Sequence, residues 1–254
     1  MNLNHRANSI LKTYSGERIK KAGKQLRIFN ELSSDDFEET MNVISYWRQI
    51  HETPLQLAIG QLQEITKPFD KNAIFANRMK RTESIYTKLL RFERMSLYRM
   101  QDIGGCRAII ENKKKLRRVV QQLKKLPEFK GDNGKYKIDD YIANPKDDGY
   151  RSTHIVGKFP DNDQKLRSIE IQLRTPIQHY WATAVEIVDL FTKQSLKTNQ
   201  GERKWKELFL EVSKQFEIME NIPFFATLNV EKRFELYVKQ QKKEVGNALF
   251  DHKS

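Results

Sequence analysis

Between positions 168 and 175 the chain reads S-I-E-I-Q-L-R-T, and Ile169, Ile171 and Leu173 alternate with Glu170, Gln172 and Arg174. Alternation with period two predicts a half-buried strand that turns a carboxylate, an amide and a guanidinium to one face. Ile103 to Ile110 reads as a short buried strand. Two more strands are expected at about 135–142 and 150–158, the second with Tyr150, Ser152 and His154 on one face. Helical spacing surrounds them. Ile85, Leu89 and Phe92 predict an amphipathic helix from Thr82 whose other side holds Lys88, Arg91 and Arg94. Leu116, Val119, Val120, Leu123 and Leu126 predict another, ended by Pro127. Pro176 is a good first helical residue, and Ile177, Trp181, Val185 and Val188 follow it as a stripe. Trp205, Phe209, Val212 and Phe216 repeat that spacing, and a last helix is expected over roughly Val230 to Val245.

Upstream, Ser33 to Asp36 predicts an N-cap for a helix through Met41, Ile44 and Ile50. Pro54 is expected to divide it from a second helix reaching about Ile65, so that two helices precede the core. Lys67 to Asn72 reads as a connection. The whole pattern is α+β: a mixed sheet of four to five strands, flanking helices, and helical extensions at both ends. The expected division is 1–70 as N-terminal extension, 71–195 as core and 196–254 as C-terminal extension.

Charge narrows the class of partner. Lys and Arg number 46 against 33 Asp and Glu, a formal charge of +13, which favours polyanions such as nucleotides or RNA. Residues 12 to 27 gather Lys12, Arg18, Lys20, Lys21, Lys24 and Arg27 against Glu17, either as a solvated helix or as an electrostatic surface. Cys106 is the only cysteine, which excludes an intramolecular disulfide and a C-x-x-C zinc motif. No apolar run approaches a membrane span and the first residues lack a signal-peptide core, so a soluble, cytoplasmic protein without membrane contact is expected.

Five stretches hold more polar side chains than a core needs, and none is a P-loop; Gly131 to Lys135 lacks the spacing. Asp102 precedes Gly104-Gly105 and Glu170 lies in another strand. Mg²⁺ takes one or two carboxylates plus substrate phosphates, so a shared metal requires these two strands to be neighbours. Asp102 as the cap of a glycine turn is the plainer alternative. Arg78, Lys80, Lys88 and Arg107 could neutralise a triphosphate, or form an ordinary solvated face. The run Asn144-Pro145-Lys146-Asp147-Asp148-Gly149-Tyr150 reads as a tight loop. Tyr150 is available there to stack on a base, with His154 beside it, and both have core roles as the alternative.

The stretches occur together as R-M-K-R-T-E-S-I-Y-T-K at 78–88, Q-D-I-G-G-C-R at 101–107, D-Y-I-A-N-P-K-D-D-G-Y-R-S-T-H at 140–154 and E-I-Q-L-R-T at 170–175. In that order, supported by W-A-T-A-V-E at 181–186, they resemble the synthetase domain of the RelA/SpoT family of alarmone synthetases. The resemblance covers roughly residues 75–190. It implies a nucleotidyltransferase-like fold that moves the terminal pyrophosphate of ATP to the ribose 3′-OH of an acceptor, usually GDP or GTP. Carried over by position, Arg78, Lys80, Lys88 and Arg107 fall on the ATP side. Asp102 and Glu170 fall on the Mg²⁺ ligands, and Glu170 also on the carboxylate proposed to activate the 3′-OH. Tyr150, Lys146, His154, Gln172 and Arg174 fall on the acceptor side. Asp148 departs from the Asn that many members have before Gly-Tyr.

About 75 residues precede the motifs, and His5 and His51 do not form a metal cluster, so a small single-function synthetase is expected. The resemblance leaves two further readings open. One is a toxin of the same fold that makes an adenosine alarmone or pyrophosphorylates the 3′ end of tRNA, with an antitoxin as partner. The other is a non-catalytic RNA-binding module, against which the intact Asp102 and Glu170 argue.

Overall fold

Five strands form one sheet in the computed structural model of the chain, which describes residues 13–131, 134–192 and 201–222 and a few isolated positions between 231 and 239. They are β1 (Ile74–Met79), β2 (Gly104–Ile109), β3 (Ile138–Asp140), β4 (Thr153–Pro160) and β5 (Leu166–Arg174), in the order β1-β2-β5-β4-β3. The central pair β2 and β5 is parallel and the other three pairs are antiparallel. A parallel pair needs a long crossover. The chain makes it through α5 (Lys113–Leu123), then lays down β3 and β4 before returning as β5. The register sets Gly105 opposite Glu170, Arg107 opposite Gln172, and His154 of β4 on the other side of Gln172.

The alternation expected of β5 gives the sheet two unlike faces. Ile169, Ile171 and Leu173 are buried with Cys106 and Ala108 of β2 and Ile155 of β4. Against them pack Leu55, Ala58 and Leu62 of α3 (Glu52–Thr66) and Leu116, Val119 and Leu123 of α5. Each leucine, isoleucine or valine among them contributes about 1.5–3 kcal/mol on full burial. Close approach explains the first glycine of the Gly-Gly pair: a Cβ on Gly104 would stand 2.8 Å from Ile169 Cδ1 and 3.5 Å from Leu55 Cβ.

A second cluster joins α1 (Gly16–Arg27), α2 (Ser34–Gln49) and α4 (Thr82–Arg91) through Ile19, Leu26, Ile44, Trp47, Ile85 and Leu89. Ser15 and Ser33 cap the first two of these helices, accepting from Arg18 N and Asp36 N, each at 3.2 Å. A third cluster packs Trp181 and Val185 of α6 (Pro176–Thr192) on Trp205, Phe209 and Val212 of α7 (Arg203–Asn221).

Several expectations are corrected. Three helices, not two, precede β1 among the described residues, because the basic stretch at 12–27 forms α1 with Ile19, Ala22 and Leu26 buried. The break after α2 falls at Ile50-His51, and Pro54 sits in the first turn of α3, where its missing N–H costs nothing. β1 is a fifth strand that hydrophobic spacing does not announce, since Ile74 is 62% exposed and only one neighbour pairs with the strand. The glycine pair lies within β2 rather than in a turn, so Asp102 is not a turn cap there. β4 starts at Thr153, and Ser152 is buried with its hydroxyl donating to the Leu173 carbonyl, so it does not share a face with Tyr150 and His154. The helix expected over 230–245 lies largely outside the described residues.

Candidate active site

The polar face of the sheet, opposite α3 and α5, forms one wall of a cleft of about 520 Å³. All eleven side chains singled out in the sequence line it: Arg78, Lys80, Lys88, Asp102, Arg107, Lys146, Tyr150, His154, Glu170, Gln172 and Arg174. β1 and α4 deliver the first cations, the turn before β2 delivers Asp102, and β5 delivers Glu170, Gln172 and Arg174 from alternate positions. The neighbouring strands required for a shared carboxylate site are present, with β2 beside β5.

At one end Asp102 Oδ2 lies 2.9 Å from both Lys80 Nζ and Lys88 Nζ. Burial pushes the Asp102 carboxyl up, but the two ammonium groups outweigh it and hold the group below its ordinary value. Beside it on β5, burial likewise raises Glu170, while hydrogen bonding and charge from His154, then Gln172 and Lys88, bring it down to about 2. Gln172 Nε2 donates to Glu170 Oε1 at 2.7 Å, and His154 Nδ1 is 3.6 Å from the same oxygen. Both carboxylates are therefore ionised at neutral pH.

The other end is aromatic and cationic. The Tyr150 hydroxyl is 2.7 Å from His154 Nε2 and accepts from Arg174 Nη2 at 2.5 Å. Tyr141 stands edge-on to Tyr150 and His154, with ring centroids 5.9 and 5.3 Å away, and Lys146 Nζ lies 4.5 Å from the Tyr141 centroid and 4.9 Å from that of Tyr150. Asp148 accepts from Tyr150 N at 2.9 Å and so shapes the loop that presents the ring. Gly149 completes that loop at φ +87°, a conformation that favours glycine.

Between the two ends, burial and then the neighbouring charge of Arg174 lower the Arg107 guanidinium from its usual value. Arg107 Nε and Arg174 Nε are both buried without a hydrogen-bond partner. Buried, crowded donors of this kind suit phosphate oxygens.

Among the described residues no group of three or more His, Cys, Asp or Glu side chains could by itself hold a metal. Asp102 Oδ1 is nevertheless buried with no hydrogen-bond partner, and Glu170 stands on the adjoining strand. Two carboxylates with one orphaned oxygen fit Mg²⁺, which completes its octahedron with water and substrate phosphates.

The sequence reading missed Lys137, Asp139 and Tyr141, which also line the cleft. Their i, i+2, i+4 spacing, with Asp139 paired opposite His154, is the signal that could have found them. Lys206 and Phe209 line it from α7, far along the chain, and no local pattern marks them.

The polar face of a mixed α+β sheet thus carries two ionised carboxylates, clustered cations and an aromatic group in one cleft. Residues 77–189 match the family model described as the region found in RelA / SpoT proteins. The chain is 29% identical over 160 residues to the probable GTP diphosphokinase RSH3, chloroplastic, of Arabidopsis thaliana, covering 61% of this chain and 20% of that protein. It is 32% identical over 115 residues to the GTP pyrophosphokinase YwaC of Bacillus subtilis (strain 168), covering 42% of this chain and 53% of that one. The chain thus spans about a fifth of the plant relative and about half of the bacterial one. The same fold occurs in the crystal structure of small alarmone synthetase 1 from Bacillus subtilis bound to its product pppGpp: TM-score 0.56, 23% identity, 69% of this chain and 93% of that chain.

Proposed function

We propose that this chain transfers the β,γ-pyrophosphate of ATP to the ribose 3′-OH of a guanosine nucleotide, converting GDP to ppGpp and GTP to pppGpp. The observation that carries this reading is the single cleft in which Asp102, just before β2, and Glu170, on the adjoining β5, stand between basic residues from β1 and α4 and the aromatic group around Tyr150. The names of the similar proteins, a GTP diphosphokinase and a GTP pyrophosphokinase, support it.

In this reading the acceptor 3′-oxygen attacks the β-phosphorus of ATP in line, the bond from that phosphorus to the α–β bridging oxygen breaks, and AMP leaves. Such transfer is driven by positioning and by charge stabilisation rather than by covalent chemistry with the protein. Arg78, Lys80, Lys88 and Arg107 neutralise the polyphosphate. Tyr150 stacks on the acceptor base, with Lys146, His154, Gln172 and Arg174 completing the acceptor side. Ionised Glu170 accepts the hydrogen bond of the 3′-OH, orients it and takes its proton as the new bond to phosphorus forms. Mg²⁺, held by Asp102 and Glu170, would supply charge neutralisation at the phosphates.

We assign the catalytic unit to residues 71–195, flanked by the helical segments before and after it. No helix among the described residues is long and apolar enough to cross a membrane, which accords with action in the cytoplasm, where ATP and guanosine nucleotides are found. The test is to incubate the protein with ATP labelled in the γ-phosphate and, separately, GDP, GTP, no further acceptor, or deacylated tRNA. Label in ppGpp and pppGpp is expected. Label confined to an adenosine product or to tRNA would reassign the acceptor and point to a toxin with an antitoxin partner. No transfer at all would leave a binding module.

A further inference from the structure

The basic residues of α1 are largely engaged within the fold. Arg18 pairs with Glu39, Lys20 with Glu17, and Arg27 donates to the carbonyls of Leu89, Phe92 and Met95. Of the cations of α5, Lys113 is engaged with Glu220 and Asn221 and Lys115 with Asp70 and Glu111, but Lys114, Arg117 and Arg118 are not. The helix's apolar side, Leu116, Val119 and Leu123, is buried against the sheet on the face opposite the cleft. Its outward side exposes Lys114, Arg117, Arg118 and Gln121, and Lys125 continues the line just past the helix. Positions i, i+3, i+4 and i+7 share one face, so these side chains form a stripe about 10 Å long before Lys125 extends it.

Among the described residues no acid pairs with Lys114, Arg117, Arg118 or Lys125. The nearby acids are taken: Glu111 and Asp70 by Lys115, and Glu220 by Lys113, Gln178 and Thr175. A groove of about 480 Å³ runs beside the stripe between α5 and the end of α7, lined by Lys113, Lys114, Arg117, Arg118 and Gln121 with Glu220 and Asn221. The arrangement opposes helix stability twice. Like charges three or four residues apart repel by a few tenths of a kcal/mol each, and a first turn of three lysines faces the positive end of the helix dipole.

We infer that the outward face of α5 is a docking surface for an RNA strand, on the side of the sheet away from the cleft. Cations spaced in a line match successive backbone phosphates, whereas a free nucleotide calls for groups converging on one point. The arginine forks grip phosphate oxygens in two places at once. The stripe contains no exposed apolar side chain to enter a bilayer, which disfavours an anionic membrane as the occupant. The inference does not depend on the acceptor used in the cleft.

The test is fluorescence anisotropy of a labelled 20-nucleotide single-stranded RNA with the full chain at 50 and 200 mM salt. Wild type is expected to bind, with affinity falling steeply with salt. The triple variant Lys114→Gln, Arg117→Gln, Arg118→Gln is expected to bind at least 10-fold more weakly at 50 mM, with the log–log salt slope shallower by about 2. The variant should keep its nucleotide turnover, since none of the three residues lines the cleft. A control, Lys21→Gln with Lys24→Gln on α1, should bind RNA within 2-fold of wild type. Unchanged affinity in the triple variant overturns the inference, as does an equal loss in the α1 control. Absence of RNA binding by wild type at 50 mM salt also overturns it, including the case in which wild type binds phosphatidylserine vesicles instead.

Discussion

Lys80 Nζ lies 2.9 Å from Asp102 Oδ2, an ion pair between the end of β1 and the turn before β2 that Lys88 makes threefold from α4. Among the described residues Asp102 is the one acid within ion-pair distance of either ammonium group, so removing it leaves two half-buried cations facing each other. Asp102→Asn is expected to lower pyrophosphate transfer at least 100-fold and to cost about 2 kcal/mol of stability at pH 7, with the fold retained. The carboxyl's pKa is depressed, so its stabilisation is complete at neutral pH and lost as pH falls through the lowered value. The urea midpoints of wild type and variant should therefore converge below about pH 4. A constant gap down to pH 3 would contradict the ion-pair account.

Glu170 offers a cleaner test of chemistry because its neighbours tolerate an amide. Gln172 Nε2, which now donates to Glu170 Oε1, can donate equally to the carbonyl of a glutamine. Glu170→Gln is expected to keep the fold while turnover drops at least 100-fold. Turnover near the wild-type rate would remove Glu170 from the proposed reaction.

Tyr150 tests the proposed acceptor side apart from the ATP side. Stacking of a base on an aromatic ring is worth roughly 1–3 kcal/mol, so Tyr150→Ala should raise KM for the guanosine acceptor about 5- to 150-fold and KM for ATP by less than 3-fold. Tyr150→Phe keeps the ring but removes the acceptor of the Arg174 Nη2 hydrogen bond and the partner of His154 Nε2. It should sit close to wild type in KM and fall mainly in kcat. Steady-state kinetics with each substrate varied in turn would show equal KM effects on both if the ring serves only the fold.

The loop beneath that ring depends on α7. Gly149 has φ +87°, and a Cβ there would stand 2.9 Å from Ser213 Cβ and 3.2 Å from Leu210 Cα, while Ser213 donates its hydroxyl to the Gly149 carbonyl at 2.5 Å. Gly149→Ala is expected to cost about 2–4 kcal/mol, from the left-handed backbone and from displacement of the helix. Acceptor KM should rise with ATP KM unchanged. A variant as stable as wild type would mean that α7 moves freely against this loop.

Local alternation is why the cleft could be read in advance. Glu170, Gln172 and Arg174 face one way because Ile169, Ile171 and Leu173 face the other, and that rule needs no tertiary information. The expectation that β2, which Asp102 precedes, neighbours β5, which carries Glu170, came from the chemistry of two carboxylates, and the two strands are paired. What could not be read depends on distant contacts. β1 carries no hydrophobic rhythm, because as an edge strand its residues are largely exposed. The use of Asp102 by lysines from two other elements and the reach of Lys206 and Phe209 into the cleft are set by helix docking. α1 read as a solvated helix or an electrostatic surface because charge dominates its composition, yet four small or apolar residues suffice to bury one side of it.

His51, set aside in the sequence as no part of a metal cluster, carries a pH dependence of its own. It is 1% exposed, its Nδ1–H donates to the Trp47 carbonyl at 2.7 Å, and its ring stands 4.6 Å from that of Trp47. Burial, opposed by the Trp47 carbonyl and joined by the charge of Arg167, brings its pKa down to about 4, with Asp161 acting weakly the other way. The unfolded chain takes up this proton near the ordinary value of 6.5 while the folded chain resists until about 4. Stability from the neutral ring is thus complete above about pH 6.5 and is lost as pH falls toward 4, by up to about 3 kcal/mol. His51→Gln keeps a donor for the Trp47 carbonyl but does not titrate. Its urea midpoint should lie below that of wild type at pH 7.5 and decline less between pH 6.5 and 4.5, where the carboxylates titrate alike in both proteins. Parallel curves over that interval would show that His51 is protonated as readily in the folded protein as in the unfolded chain.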